Sequence, residues 1–243
     1  MSVEQATSLG SWTLLIAQSI ESYGLDAEKI FLDAGIEFEA LRRPNSRIPT
    51  ALMNSLWQRV ISETNDPYFS LKVAAHYQPS AFSALGMALA ASRHVGDALC
   101  RASRYSQIIS DGSNCLIEDE QDSLSMRVSA ISPLKAPPNI YGVEALFAVL
   151  FKLLQSISND KLQARSVSFQ HDCEHDLGPY ESYFGCELKF SADVNRLEFA
   201  KTDIYQEQAF ANSTLTNTLD EWIENHLSSL ERELLSTRVK KQV

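Results

Sequence analysis

Five consecutive residues, His171, Asp172, Cys173, Glu174 and His175, form the densest group of metal-capable side chains in the chain. Two imidazoles four positions apart could donate nitrogen to a transition metal, with Cys173 or Glu174 as a third ligand. The plainer reading makes His171 the inward-pointing end of a strand and the following residues a solvated turn ahead of Gly178 and Pro179. One short cluster without a second ligand group supports the plainer reading, and no metal is assigned. Cys100, Cys115, Cys173 and Cys186 contain no C-x-x-C pair. A nucleophilic thiol needs a partner base and a lowered pKa, so these cysteines read as small buried hydrophobes and reduced thiols. There is no G-x-x-x-x-G-K-[ST], G-x-G-x-x-G, G-x-S-x-G or H-E-x-x-H. Accordingly no catalytic residue and no cofactor is assigned.

The remaining chemistry is that of binding. Phe82, Tyr105, Tyr141, Phe147, Phe151, Phe169 and Phe184 crowd the expected core. A buried tyrosine carries a hydroxyl that needs a partner and could orient a small guest in an apolar cavity. Arg104 is a candidate partner for an acidic ligand, against the alternative that Arg101 and Arg104 are surface residues. With the inward His171, the candidate ligand contacts are Phe82, Arg104, Tyr105, Tyr141, Phe147 and His171.

These side chains must be held by a largely helical first half. Trp12, Leu15, Ile16, Ser19 and Ile20 trace one helix face that Gly24 ends. Asp26 is placed to cap a short helix closed by Gly35, and Thr50 to cap the next, with the stripe Leu52, Leu56, Trp57 and Val60 or Ile61. Asp66 and Pro67 open another, and helices are predicted over 80–92 and 95–110. The period then changes. Leu124, Met126, Val128 and Ala130 alternate with Ser125, Arg127 and Ser129 as a half-buried strand, with Cys115–Asp119 as its hairpin partner. Pro137 and Pro138 start a helix over 139–158 whose polar residues Glu144, Lys152, Gln155 and Asn159 fit within about 80°. Such a helix is central and lines a cavity. Arg165–His171 is the cleanest strand, a short helix near Tyr180–Phe184 ends at Gly185, and Leu188–Phe190 with Leu197–Phe199 suggest a second hairpin. From Thr214 a long amphipathic helix carries Leu219, Ile223, Leu227, Leu230 and Leu234, ending in Arg238, Lys240 and Lys241. That stripe packs on the domain or dimerises. The fold class is α+β: a helical N-terminal half packed with a small, mostly antiparallel sheet of about five strands and a long C-terminal helix.

The 243 residues carry 21 Lys and Arg against 31 Asp and Glu, a formal charge of −10, so this chain alone is repelled by phosphate backbones and is a poor nucleic-acid binder. No basic n-region with an apolar h-region opens the sequence, and unbroken apolar runs such as Ala145–Phe151 fall short of about 18 residues. The expected location is the cytoplasm, with no membrane partner.

Two segments resemble a known family. The first reads FSALGMALAAS over 82–92, then VGDAL over 95–99 and Arg104-Tyr105. The second reads VSFQH over 167–171, YESYFGC over 180–186, Phe190, and NRLEF over 195–199. Together they resemble the N-terminal effector-binding (arabinose-binding-like) domain of AraC/XylS-type transcription regulators, in the ornithine-utilisation and VirS-like subgroup, across residues 10–236. The segment Thr202–Phe210 departs from the family pattern. The resemblance implies an effector-binding and dimerisation domain over 1–236 (helical 11–110, mixed 111–212, C-terminal helix 214–236). Residues 237–243 would begin the linker to a missing helix-turn-helix DNA-binding domain. It further implies a small-molecule effector, a homodimer, and DNA contact only through the missing part; a cavity walled by Phe and Leu with one or two polar groups suits an apolar or acidic effector, a hydrophobic acid or an amino-acid-derived ligand. Leu219, Ile223, Leu227, Leu230 and Leu234 are the expected dimer stripe. The alternatives are a small cytoplasmic metal-dependent enzyme using the 171–175 region, and an interaction module with no ligand.

Overall fold

The computed structural model describes residues 6–43, 45–131, 139–158 and 161–240, the side chains of 231–240 excepted. Strand β1 (Thr7–Leu9) pairs antiparallel with β2 (Arg47–Pro49). Between them lie helices α1 (Thr13–Ser22), α2 (Ala27–Asp33) and α3 (Phe38–Leu41). The chain leaves α1 and α2 through Gly24 and Gly35 at φ of 72° and 82°, a left-handed conformation that glycine adopts without a Cβ penalty. Asp26 caps α2 as expected, accepting from the Lys29 amide at 3.0 Å. Helix α4 (Thr50–Thr64) corrects the expected cap: Thr50 is its first helical residue, and its amide donates to the Ala6 carbonyl at 2.8 Å, continuing the ribbon.

Helices α5 (Phe69–Lys72), α6 (Ser83–Ala90) and α7 (Val95–Arg104) follow, with short 3-10 turns at Val73–His76, Pro79–Phe82 and Ser106–Ile108. The helix expected over 95–110 therefore ends at Arg104. Strands β3 (Ser113–Asp119) and β4 (Ser123–Ala130) form the predicted hairpin. Next come α8 (Ile140–Ile157), β5 (Ser166–Ser168), α9 (Gly178–Phe184), β6 (Leu188–Lys189), β7 (Asn195–Ala200), α10 (Lys201–Ile204) and α11 (Ser213–Lys240). Pro137, Pro138, Asn159 and Lys241 lie outside the described residues, as do the side chains of Leu234, Arg238 and Lys240.

The five-stranded sheet has the order β3-β4-β7-β5-β6, antiparallel except for the parallel β5–β6 edge. The expected second hairpin is overturned: β6 and β7 do not pair. The chain after β6 bonds to the continuation of β5, with the Ser191 and Ala192 amides donating to His171 and Phe169 carbonyls at 2.9 Å each. It then crosses to the far edge of β5, where β7 takes the partners left free.

Helix α8 threads the centre. One side carries Phe147 and Phe151 into an aromatic core, with ring centroids 5.6 Å from Phe169 and 5.4 Å from Phe184. By length and composition α8 could cross a membrane, a property hidden from a count of unbroken runs because Gly142, Glu144 and Lys152 interrupt it. It is instead covered: 61% of its residues are buried in the domain.

Candidate functional site

The other side of α8 faces a partly enclosed cavity of about 310 Å³. This is at the lower end of the ~300–1,000 Å³ usual for small-molecule sites. Its walls come from every layer: Leu146, Val149, Leu150 and Leu153 from α8, Met126 and Val128 from β4, Leu89 and Ala102 from α6 and α7, and Phe82. Thr50, Met53, Asn54 and Trp57 arrive from α4, where positions i, i+3, i+4 and i+7 share one side, and Trp12 comes from the residue before α1.

Two features set this cavity apart from a packing defect. First, three buried polar atoms of residues that line it, Trp12 Nε1, Thr50 Oγ1 and Asn54 Oδ1, have no hydrogen-bond partner among the described residues. A buried polar group without a partner costs about 1–3 kcal/mol, so packing for stability alone does not account for these residues. Second, none of the described lining residues is Lys, Arg, His, Asp or Glu. Cys115 also lines it, and burial pushes that thiol up to about 11, so it is neutral. Arg47 on β2 already donates to Thr7 Oγ1 at 3.0 Å, the Thr7 carbonyl at 3.1 Å and the Ile108 carbonyl at 2.5 Å, and pairs with Asp111 at 3.6 Å.

A second pocket of about 220 Å³ opens on the other side of α8. Here Glu144, expected in a polar stripe, is buried. Its Oε1 lies 2.8 Å from His171 Nε2, and its Oε2 accepts from Ser70 Oγ. Tyr180 also bonds to Glu144, and burial first, then that carboxylate, raises its hydroxyl well above the ordinary value. All five residues of the 171–175 cluster line this pocket; His171 turns inward to Glu144, and the His175 ring lies 6.3 Å from Tyr68. Among the described residues no three His, Cys, Asp or Glu converge as metal ligands.

The six candidate contacts are not brought together. Phe82 lines the main cavity. Tyr141 and His171 line the second pocket. Phe147 is sealed in the aromatic core. Arg104 is exposed, its guanidinium 5.8 Å from the centre of the Tyr105 ring, so it reaches neither cavity. Tyr105 is buried but donates outward to Glu224 Oε1 on α11 at 2.9 Å. Trp12, Thr50 and Asn54 were missed. The available signal was two polar residues one turn apart on the same side of α4 as Trp57.

Helix α11 is fastened to the wall of the cavity. Arg101 holds Asp220 with Nε–Oδ1 at 2.8 Å and Nη2–Oδ2 at 2.9 Å, and Tyr105 holds Glu224. Ile223 is fully buried, and Leu219 and Leu227 pack half-buried against the same core. Of the two readings of this stripe, packing on the domain holds for its first turns, and Leu230 is half-buried.

The family model for the "Arabinose-binding domain of AraC transcription regulator, N-term" matches residues 24–207. The chain belongs to this family. An AraC-type relative, the Ornithine utilization regulator of Pseudomonas aeruginosa, is 23% identical over 223 residues, covering 91% of this chain and 66% of that protein. The crystal structure of the transcriptional regulator CdpR from Pseudomonas aeruginosa superposes with a TM-score of 0.58 at 16% identity, covering 84% of this chain and 61% of CdpR. That likeness shows the shared fold. The AraC-type chain described here thus spans less than two thirds of the length of either protein.

Proposed function

We propose that this AraC-type domain senses a small, mostly apolar effector in the cavity beside α8 and passes its occupancy to a further, DNA-binding domain. The observation that carries this is the cavity itself: about 310 Å³ with mostly apolar walls drawn from the helices and the sheet. The name of the curated relative would suggest ornithine. Among the described residues the lining offers neither a carboxylate for an amine nor a cation for a carboxylate, so the described walls do not favour a zwitterionic diamine. The same absence removes support from the acidic half of the expected ligand class.

Ligand binding shifts a conformational equilibrium only through unequal affinity for the two states. The cavity wall supplies a route for that difference. Ala102 and Ser106 line the cavity, while Arg101 and Tyr105, beside them in sequence, hold α11. A guest that moves α7 therefore loads the contacts of α11. Homodimerisation belongs to the same proposal, with the part of α11 after Leu227 as the contact, since Ile223 is already buried.

The test is ligand-induced stabilisation of the purified protein against the variant Ala102→Phe, which fills the cavity. At a hundredfold excess over Kd a ligand adds about 2.7 kcal/mol, or about 5–10 °C in Tm. Small apolar compounds should raise the Tm of the parent and not of Ala102→Phe. Equal responses from both proteins would defeat the proposal.

A further inference from the structure

Resting on the reading of this cavity as the effector site, we infer that Ser83 is a strained hinge that couples occupancy of the cavity to the placement of α6. Ser83 has φ of 55° and ψ of −143°. Glycine reaches that region freely, whereas the Cβ of any other residue is crowded there, so a serine stays only where its surroundings over-determine the backbone. Both flanks do so. Before it, the turn Pro79–Phe82 is fixed by the Ser11 hydroxyl, which donates to the Ala81 carbonyl at 2.8 Å, and by the buried Phe82 side chain. After it, α6 buries Leu85, Ala88 and Leu89. The sharp reversal at Ser83 folds the turn back on the helix so closely that a Cβ at Gly86 would sit 1.9 Å from the Pro79 carbonyl oxygen. Turn and helix are closed like a clasp, with the strain at the fold.

The clasp joins the cavity to α11. Phe82, on one side of the hinge, and Leu89, on the other, both line the cavity. The far end of α6 receives the chain that starts α11. There the Asn212 amide donates to the Ala91 carbonyl at 3.0 Å and Gln208 Nε2 to the Ala90 carbonyl at 3.1 Å, while Asn212 Oδ1 accepts from the Leu215 amide at 2.9 Å. Relaxation of Ser83 to a negative φ opens the clasp and withdraws Phe82 from the cavity wall. A guest packed against Phe82 and Leu89 holds the clasp shut; in the empty chain the strain works to open it. The two arrangements therefore differ in affinity for a guest, which is what a ligand-driven shift requires.

The experiment compares the purified chain with Ser83→Gly, which frees the hinge of its Cβ, and Ser83→Ala, which keeps the Cβ and loses only the hydroxyl. Thermal melts read the strain, and isothermal titration with propylbenzene and naphthalene reads the coupling. Ser83→Gly should melt about 2–6 °C above the parent, once the added freedom of glycine in the unfolded chain is set against the relief, and Ser83→Ala within about 1 °C of it. Glycine favours the closed, guest-holding arrangement. Ser83→Gly should therefore bind the probes at least about threefold more tightly than the parent, and Ser83→Ala no more tightly. If Ser83→Gly melts no higher than Ser83→Ala, the backbone at Ser83 is not strained and the inference falls. If it melts higher but all three proteins bind the probes alike, the strain is static; the hinge falls while the sensory reading stands. If neither probe binds any of the three, the cavity is not a site for an apolar effector, and both fall.

Discussion

Replacing Asp220 by alanine should loosen α11 without unfolding the domain. The Arg101–Asp220 side chains are only 16% and 17% exposed, and two N–H groups of one guanidinium meet both carboxylate oxygens. Truncation removes both bonds and leaves Arg101 with Ser92 Oγ, 2.8 Å from Nη1. A hydrogen bond to a charged group contributes about 1.5–3 kcal/mol. Water entering the partly open site replaces some of that, and alanine recovers about 0.5 kcal/mol in helix propensity over aspartate. The net loss is about 2 kcal/mol, or about 4–8 °C in Tm for a chain of this length. The exposed pair Arg93–Glu207, at 67% and 65% exposure, is the internal control: Glu207→Ala should cost at most about 0.5 kcal/mol. Urea denaturation of the cycle Arg101→Met, Asp220→Ala and the double variant should give a coupling energy of about 1–2 kcal/mol, against nearly none for the control pair. Hydrogen exchange should localise the loss to amides of α11 from Ser213 onward. A coupling energy below about 0.5 kcal/mol would refute the argument that a sheltered ion pair fastens α11.

Ile223→Ala should destabilise the protein by about 2–4 kcal/mol in urea, because Ile223 is fully buried in its own domain; an effect confined to oligomer size on gel filtration would contradict this. Two helical glycines should behave oppositely. Gly142→Ala meets only ordinary contacts, 3.4 Å to Trp57 Nε1, and should gain about 0.5–1 kcal/mol, whereas at Gly86 a Cβ would sit 1.9 Å from the Pro79 carbonyl oxygen and cost about 1–3 kcal/mol in thermal melts. Burial pushes the Cys115 and Cys186 thiols up to about 11 from 9.0, favouring the protonated form in the folded state. Their contribution is full below pH 9 and is lost as pH rises through 11; the urea midpoint should fall across that window, and less steeply in Cys115→Ala/Cys186→Ala.

What the amino-acid order determined by itself is local. Apolar spacing, the Asp26 cap and the glycines after α1, α2 and α9 place most helices, because such signals act over three or four residues and survive without tertiary context. The β3–β4 hairpin was legible for the same reason, and the narrow polar arc of α8 already marked a central helix beside a void. What only the tertiary structure decided is non-local. β6 crosses β5 instead of turning back on β7, since pairing depends on which backbone groups remain free once β5 is laid down. Glu144, a member of the polar arc of α8, became the buried partner of His171, and Ile223, open between packing and dimer contact, became core. The cavity is the clearest case: Trp12, Thr50 and Asn54 meet Leu146, Val149 and Met126 around it only once the helices and the sheet are packed. An empty space is bounded by residues from 6 to 153 and belongs to no stretch of sequence, so no periodicity can announce it.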